Sequence, residues 1–447
     1  MAAHDDTIAA IATPPGKGGV GIVRISGPAV PDISRALFAR RLLPRHAELA
    51  DFTDGTGAVI DRGLALYFPA PASFTGDHVL ELQAHGGPVL LDLLLHRVIE
   101  LGARPARPGE FTERAFLNGK IDLAQAEAVA DLIDSTTVEA ARSAQRSLQG
   151  EFSALIHTVV EQLIRVRTYI EAAIDFSDED IDFLSDASLF QQIDGAADTL
   201  SHIAASARQG AILREGLRIV LAGRPNVGKS SLMNRLAGRD SAIVTDVPGT
   251  TRDTLREQIQ IDGLPLHIID TAGLRESPDP VEREGVRRAR DAISDADRVL
   301  LILDARSPMD GEELIAEIPS GIPITRIHNK ADLIEEEPRL DQDAHGALIV
   351  LSAATGAGLD LLRRHLKECA GYGTATTGIF SARRRHLAAL DRATHALNDA
   401  RSQLSRGSAE LAAEELRQVQ HALGEITGEF TSEDLLGRIF GSFCIGK

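Results

Sequence analysis

A glycine-rich loop between a strand pattern and a helix pattern constrains the fold of this chain more than any other feature. The apolar run LRIVLAG leads into RPNVGKSS, and an amphipathic helical pattern, SLMNRLAG, follows. The spacing G-x-x-x-x-G-K-[ST] is met by Gly223, Gly228, Lys229 and Ser230. Glycines at these positions let backbone N–H groups converge on phosphate oxygens at a helix N-terminus. The sequence therefore predicts a phosphate-binding loop rather than an ordinary glycine turn.

Three later segments complete the pattern of a guanine-nucleotide site. The strand pattern LPLHIID is followed by Thr-Ala-Gly, IPITRIH is followed by Asn-Lys-Ala-Asp, and Leu-Ser-Ala follows the next strand. The Asp332 carboxylate can accept from the N1–H and exocyclic amine of guanine, whereas adenine would leave it unpaired. The order and spacing resemble Ras-like GTPases, which implies GTP as the substrate. The nucleotide contacts expected from these segments are Asn226, Val227, Gly228, Lys229, Ser230, Ser231, Asp270, Thr271, Ala272, Gly273, Asn329, Lys330, Asp332, Ser352 and Ala353.

The residue after the Asp-Thr-Ala-Gly segment departs from the Ras pattern. Ras-type enzymes carry a glutamine that positions the attacking water, but this chain has Leu274, which cannot hydrogen-bond to water. Glu282 and Glu284 lie just downstream and are candidates for that task. Each also fits a charge on a solvated helix face.

The chain has 447 residues, which suggests about three domains. The patterns predict an α/β domain over 1–119, a helical part over 120–210, a Ras-like G domain over 211–375 and a second helical part over 376–447. The two helical parts would form one discontinuous domain into which the G domain is inserted. At the start of the first part, Asp122 and Gln125 have the spacing of a capping box.

Composition excludes several classes of protein. The formal net charge is −18, which excludes nucleic-acid binding through bulk positive charge. Two cysteines, Cys369 and Cys444, cannot build a disulfide framework. The N-terminal residues lack the apolar core of a signal peptide, and no apolar run of about 18 residues predicts a membrane span. We therefore expect a protein of the reducing cytoplasm.

Three segments together resemble the bacterial tRNA-modification GTPases called MnmE or TrmE. They are TDVPGTTRD with the glycine-rich loop, GEFTERAFLNGKIDLAQAEAVADLID (109–134) and GEFTSEDLLGRIFGSFCIGK (428–447). The resemblance covers essentially the whole chain. It implies an N-terminal α/β domain that binds folate and dimerises, a discontinuous helical domain and an inserted P-loop GTPase domain.

The resemblance assigns metal ligands and a catalytic residue in the G domain. It implies that Ser230 and Thr251 bind Mg²⁺ and that Glu282 orients water. It implies a K⁺ site formed by Asn226, Thr245, Val247 and Thr250. The loop that would also contact GTP consists of Thr245, Asp246, Val247, Pro248, Gly249, Thr250 and Thr251.

The resemblance also assigns a reduced-folate site, formed by Arg24, Glu81, Lys120 and Lys447. Arg24 and Glu81 alternate with apolar residues in strand patterns, so each faces a polar side or a pocket. Without the resemblance, all four would be interpreted as surface charges. Cys444 matches the cysteine of the family's CIGK motif; as a lone thiol it fits a small buried residue or an idle group.

The activity implied is K⁺-dependent GTP hydrolysis by a homodimer. With the FAD-dependent flavoprotein MnmG (GidA), in a heterotetramer, it would add an aminomethyl-type group at C5 of the wobble uridine (U34) of certain tRNAs. The carbon would come from 5,10-methylene-tetrahydrofolate, and 5-formyl-tetrahydrofolate would also bind. One alternative is a ribosome-assembly or signalling GTPase without a role in modification. Another is a folate-dependent transferase with a regulatory G domain that needs no flavoprotein.

Overall fold

Ten segments of the chain are described in the computed structural model: 6–175, 187–237, 256–261, 263–270, 296–309, 312–319, 321–343, 346–370, 378–430 and 432–446. The chain divides into two compact units, one formed by 1–130, 148–186 and 396–447, the other by 131–147 and 187–395. The domain boundaries expected from the sequence stay predictions. None of the helices in the described segments is long and apolar enough to cross a membrane.

The first unit contains a six-stranded sheet. Its strands are β1 (Ile8–Ile11), β2 (Gly18–Ser26), β3 (Glu48–Thr53), β4 (Val59–Phe68), β5 (Val79–Gly86) and β6 (Arg104–Pro105), in the order β3-β4-β5-β2-β1-β6. β1 and β2 are antiparallel and form a hairpin around the segment PPGKGG. β2 also pairs antiparallel with β5, placing Arg24 opposite Glu81.

The described helices follow the chain as twelve segments. They are α1 (Val30–Phe38), α2 (Pro88–Glu100), α3 (Glu110–Leu117), α4 (Leu123–Asp134), α5 (Val138–Leu148), α6 (Glu151–Asp175), α7 (Ala187–Glu215), α8 (Lys229–Ala237), α9 (Leu359–Cys369), α10 (Arg384–Ser405), α11 (Ala409–Thr427) and α12 (Glu433–Gly441). The predicted capping box begins α4. The Gln125 amide donates to Asp122 Oδ1 at 2.8 Å, and the Asp122 amide donates to Gln125 Oε1 at 3.0 Å.

Two glycines let the segments that resemble the family signatures pack on each other in the first unit. A Cβ on Gly109, whose φ is +67°, would lie 2.5 Å from the carbonyl oxygen of Phe440. A Cβ on Gly428, whose φ is +93°, would lie 2.8 Å from the Phe116 ring. Phe440 is buried in a cluster with residues of α4 and α12. The segment around α3 and the segment around α12 therefore share one core.

A buried ion cluster fixes α3 in place. Glu110 and Arg114 are both fully buried, and Arg114 Nη2 lies 3.2 Å from Glu110 Oε1 and 2.8 Å from Asp6 Oδ1. Arg104 Nη1 donates to Glu110 Oε2 at 2.9 Å. Burial alone would raise the pKa of Glu110, but hydrogen bonds from Arg104, the Arg107 amide and Arg114 outweigh it and lower the pKa to about 2.

The second unit contains a seven-stranded sheet of the alternating type that the sequence predicted. Its strands are β7 (Leu217–Ala222), β8 (Arg256–Ile261), β9 (Leu264–Asp270), β10 (Arg298–Asp304), β11 (Ile324–Asn329), β12 (Arg339–Asp343) and β13 (Gly346–Val350), in the order β12-β13-β11-β10-β7-β9-β8. β13, β11, β10, β7 and β9 are parallel to one another, and the edge strands β12 and β8 are antiparallel to β13 and β9. Parallel strands direct their carboxyl ends to one edge, where ligands of such sheets bind.

Candidate functional site

The predicted phosphate-binding loop lies between β7 and α8. Gly223 has a φ of +151°, and a Cβ there would lie 2.4 Å from the Ile302 carbonyl oxygen. Gly228 has a φ of +100°, and a Cβ there would lie 2.2 Å from Asn329 Nδ2. Both positions therefore require glycine for backbone conformation and for close approach. The strand–loop–helix arrangement predicted from the sequence is confirmed.

Cationic and hydroxyl groups surround the start of α8. Lys229 Nζ donates to the carbonyl oxygens of Gly223 at 2.7 Å and Arg224 at 3.3 Å, so its ammonium lies over the loop. Ser230 and Ser231 are both exposed in the first turn of the helix. A phosphate at this helix N-terminus would meet backbone N–H groups, the helix dipole and the Lys229 charge together.

Asn329 connects the loop to the base side of the site. The residue is 2% exposed, and Nδ2 donates to the Val227 carbonyl at 2.8 Å. Its Oδ1 accepts from the Ala353 amide at 2.8 Å. A single buried amide thus joins three segments whose proximity the sequence predicted.

Asp332 and Ser352, which the sequence predicts to contact the base, are hydrogen-bonded to each other. Ser352 Oγ donates to Asp332 Oδ1 at 2.5 Å and accepts from the Thr355 amide at 3.2 Å. Ser352 is buried and Asp332 is exposed, so the hydroxyl holds the carboxylate at the surface of the site. The carboxylate is in a position to accept from a ligand there.

One residue of the site was missed by the sequence analysis. Asp304, at the end of β10, lies beside the base motif, with Oδ2 2.9 Å from Lys330 Nζ. A hydrogen bond from Arg306 is the largest cause that holds the pKa of Asp304 well below its ordinary value; burial opposes it and Lys330 adds to it. An acidic residue ending the buried strand RVLLILD, at the edge where nucleotides bind, is the signal that could have indicated it.

Several predicted residues lie outside the described residues. They are Thr245, Asp246, Val247, Pro248, Gly249, Thr250, Thr251, Thr271, Ala272, Gly273, Leu274, Glu282, Glu284 and Lys447. Asp270 is the last residue of β9, but only its backbone belongs to the described part of the chain. Of the predicted metal ligands, Ser230 and Asn226 are described.

In the first unit, the described structure brings together two of the predicted folate residues and a distant segment. Arg24 Nε donates to Glu81 Oε1 at 2.9 Å, and both side chains are largely buried. Arg24 Nη1 also donates to the Gly446 carbonyl at 3.3 Å. The Arg24 guanidinium lies 5.8 Å from the centre of the buried Phe111 ring. A cation, a carboxylate and an aromatic ring thus meet where residues 444–446 fold back.

Lys120 and Cys444 make their hydrogen bonds with other segments of the first unit. Lys120 Nζ donates to the Pro71 carbonyl at 3.1 Å, on the loop that precedes β5. Thr75 of that loop hydrogen-bonds to Ser26, two residues beyond Arg24 on β2. The Cys444 carbonyl accepts from the Gly109 amide at 3.3 Å, but the Cys444 side chain is exposed. The exposure excludes the small buried residue, one of the two interpretations of this thiol, and the idle group stays a prediction.

Comparisons with known proteins cover the whole chain. A family model described as "GTP-binding protein TrmE N-terminus" matches residues 7–120, and one described as "MnmE helical domain" matches residues 123–444. A "tRNA modification GTPase MnmE" of Methylococcus capsulatus is 64% identical over 448 residues, covering 100% of both chains. A protein of the same name from Pseudomonas paraeruginosa is 58% identical over 455 residues, also covering 100% of both.

Solved structures match a smaller part of the chain. The G domain of the FeoB iron transporter of T. maritima is 28% identical, with a TM-score of 0.28, over 34% of this chain and 98% of that one. The structure of an Aquifex aeolicus Era variant bound to GDP·AlF4⁻ is 25% identical, with a TM-score of 0.28, over 40% of this chain and 66% of that one.

Proposed function

Because this chain belongs to the MnmE (TrmE) family of tRNA-modification GTPases and is a GTP hydrolase that acts in tRNA modification, we propose which cation, cofactor and partner protein that activity uses. The chain hydrolyses GTP in a K⁺-dependent reaction and binds a reduced folate in its first unit. With the FAD-dependent MnmG (GidA) it adds a carboxymethylaminomethyl or aminomethyl group at C5 of the wobble uridine of certain tRNAs. The family membership argues against the alternative of a ribosome-assembly or signalling GTPase.

Two described residues support the proposed metal sites in the G domain. Ser230 lies in the first turn of α8, where a hydroxyl can reach an Mg²⁺ ion bound to nucleotide phosphates. Asn226 is exposed in the loop and has a φ of +66°, a left-handed conformation that asparagine adopts more readily than most residues. A K⁺ ion there would supply charge that neutralises the phosphates, while Asn226 would hold the ion. Ser230 with Thr251, and Asn226 with Thr245, Val247 and Thr250, would complete the two ligand sets.

The K⁺ proposal has a direct test. GTP hydrolysis by the full chain should be faster in KCl than in NaCl at equal ionic strength, and the Asn226→Ala variant should lose most of this difference. A bound charge at this position can act as an arginine finger does, which is worth up to about 10⁵-fold in rate. Equal rates in the two salts would remove K⁺ from the mechanism.

The Arg24–Glu81–Gly446 contact carries the folate proposal. The Arg24 bond uses one lone pair of Glu81 Oε1, so the two carboxylate oxygens together can still accept from the N–H and amino donors of a pterin. The Arg24 or Lys120 cation could pair with a carboxylate of the folate glutamate tail. Lys447, directly after Gly446, would join them. A bound methylene-tetrahydrofolate would supply the one-carbon unit, and these residues would bind and orient it.

Calorimetric titration of 5-formyl-tetrahydrofolate into the full chain tests the site. Glu81→Ala should abolish binding, and a chain truncated before Phe443 should weaken it strongly. Asp51→Ala is a matched control, because Asp51 is an exposed carboxylate on β3 of the same sheet with a 3.4 Å ion pair to Arg62. Binding that survives both Glu81→Ala and the truncation would reject the site.

The partnership and the modification complete the proposal. We infer a homodimer, a heterotetramer with MnmG, tRNA as the substrate of that complex and a cytoplasmic location. Mass spectrometry of wobble uridines from cells lacking the chain should show loss of the aminomethyl-type group. Assaying folate turnover by the purified chain with and without the flavoprotein separates this proposal from a transferase that acts alone: turnover without the partner would contradict it.

A further inference from the structure

Asp304 and Lys330 meet at the carboxyl edge of the seven-stranded sheet. β10 and β11 are parallel neighbours, with Asp304 opposite Asn329. Lys330 has a φ of +69°, so the chain turns sharply directly after β11. The turn sends the Lys330 ammonium back over the end of β10. The sheet register therefore sets the proximity of these two side chains.

The Lys330 ammonium joins two parts of the site. Nζ donates to Asp304 Oδ2 at 2.9 Å and to the carbonyl oxygen of Asn226, in the phosphate-binding loop, at 2.6 Å. An ammonium has three donors, and these two contacts use two of them. The lysine side chain is 24% exposed and the aspartate side chain 18%, so the pair is less screened than a surface ion pair.

Arg306 fixes the Asp304 carboxylate from the other side. Its Nε lies 3.0 Å from Oδ1 and its Nη2 lies 2.7 Å from Oδ2, which makes the pair bidentate. The Arg306 amide also donates to Oδ1 at 3.1 Å. Because the fork and the amide set the plane of the carboxylate, Oδ2 is aimed at Lys330.

We propose that Asp304 is a positioning residue for guanine-nucleotide binding, holding the Lys330 ammonium against the Asn226 carbonyl so that the base motif and the phosphate-binding loop are connected in the nucleotide-ready arrangement. Without the carboxylate, the flexible lysine side chain is free to rotate away, and the loop loses one of its anchors. The nucleotide must then order both groups when it binds, which weakens affinity. The inference needs the GTP-binding activity but neither K⁺ nor folate.

The test measures the affinity of the full chain for a fluorescent GDP analogue and the steady-state kinetics of GTP hydrolysis. Asp304→Ala should raise the Kd for the analogue by about tenfold or more. It should raise KM for GTP similarly, while kcat at saturating GTP changes by less than about threefold, because the residue acts on binding. Asp304→Asn keeps an acceptor for Lys330 and should recover part of the affinity.

Two controls separate positioning from damage to the domain. Asp341→Ala removes a carboxylate that Arg339 contacts at 2.7 Å on edge strand β12, and it should leave the Kd unchanged. In a Lys330→Ala background, adding Asp304→Ala should weaken binding by less than about threefold more, since the residue acts through the lysine. Two results would overturn the proposal. One is an Asp304→Ala protein that binds the nucleotide with wild-type affinity. The other is an Asp304→Ala change that raises the Kd as much in the Lys330→Ala background as in the wild type.

Discussion

Replacing Glu110 by glutamine should loosen α3 far more than the loss of an ordinary surface charge would. The carboxylate is fully buried and accepts from Arg104 and from the buried Arg114. Lowering its pKa from 4.5 to about 2 corresponds to about 3 kcal/mol of stability at neutral pH, at about 1.4 kcal/mol per pH unit. Removing the charge also leaves Arg114 with a weaker set of partners, which acts in the same direction.

Hydrogen exchange followed by mass spectrometry measures this effect in the full chain. Peptides that cover 110–117 should exchange about 10²-fold faster in Glu110→Gln than in the wild type at pH 7. Glu113→Gln is the matched control on the same helix, because Glu113 pairs at 3.0 Å with Arg107, which is largely exposed. Such a pair contributes at most about 1 kcal/mol, so exchange should change by less than about fivefold.

The stability that the Glu110 carboxylate contributes should also depend on pH. The folded-state pKa of Glu110 lies below the unfolded value, so its contribution is complete above about pH 4.5 and is lost as the pH falls toward 2. The ratio of variant to wild-type exchange, normalised to intrinsic rates at each pH, should therefore shrink between about pH 5 and pH 3. Exchange in Glu110→Gln within about fivefold of wild type at pH 7, or a ratio that does not change with pH, would refute the reasoning.

Three further changes have defined outcomes. Asp332→Asn should favour XTP over GTP by about tenfold or more in binding competition, because the amide donates where guanine also donates; a variant that still prefers GTP would contradict the base assignment. Glu282→Ala should slow GTP hydrolysis by about 10²-fold or more with little change in GDP affinity, whereas Glu284→Ala should change neither; equal effects would show that Glu282 has no special part. Gly109→Ala should expose residues 435–446 to limited proteolysis, because its Cβ would lie 2.5 Å from a backbone oxygen, whereas Gly119→Ala has a similar positive φ with no atom within 4 Å and should not; matching proteolysis would attribute the effect to strain alone.

The nucleotide side of the fold was predictable because its chemistry dictates local backbone geometry. A loop that aims amides at phosphates needs glycine at Gly223 and Gly228, and the spacing between them is fixed by the turn into α8. Asn329 likewise ends a buried strand, so its position at the carboxyl edge is set by the parallel sheet. These constraints act within a few residues, so the local sequence is enough to predict them.

Other features depend on contacts between distant segments, which local sequence patterns do not predict. β3 is an edge strand with few buried residues, so its alternation is weak and it was not predicted. Glu110 and Arg114 stood inside a family signature, but the pairing of Arg114 with Asp6 depends on how α3 folds against the segment before β1. Alternation placed Arg24 and Glu81 on polar faces, yet their contact depends on the register of β2 with β5, 57 residues apart.

The packing of α3 against α12 has a consequence for how the chain is synthesised. Domains generally fold as they emerge from the ribosome, N-terminal part first. The first unit cannot follow that order to completion, because the core around Phe440 and the contact from Arg24 to Gly446 require residues made after the entire G domain. The six-stranded sheet can form early. Gly109, however, has no α12 to pack against until roughly 300 further residues have been translated. A nascent chain that stops before α12 would therefore have a complete G domain, while its first unit still lacks part of the core around Phe440.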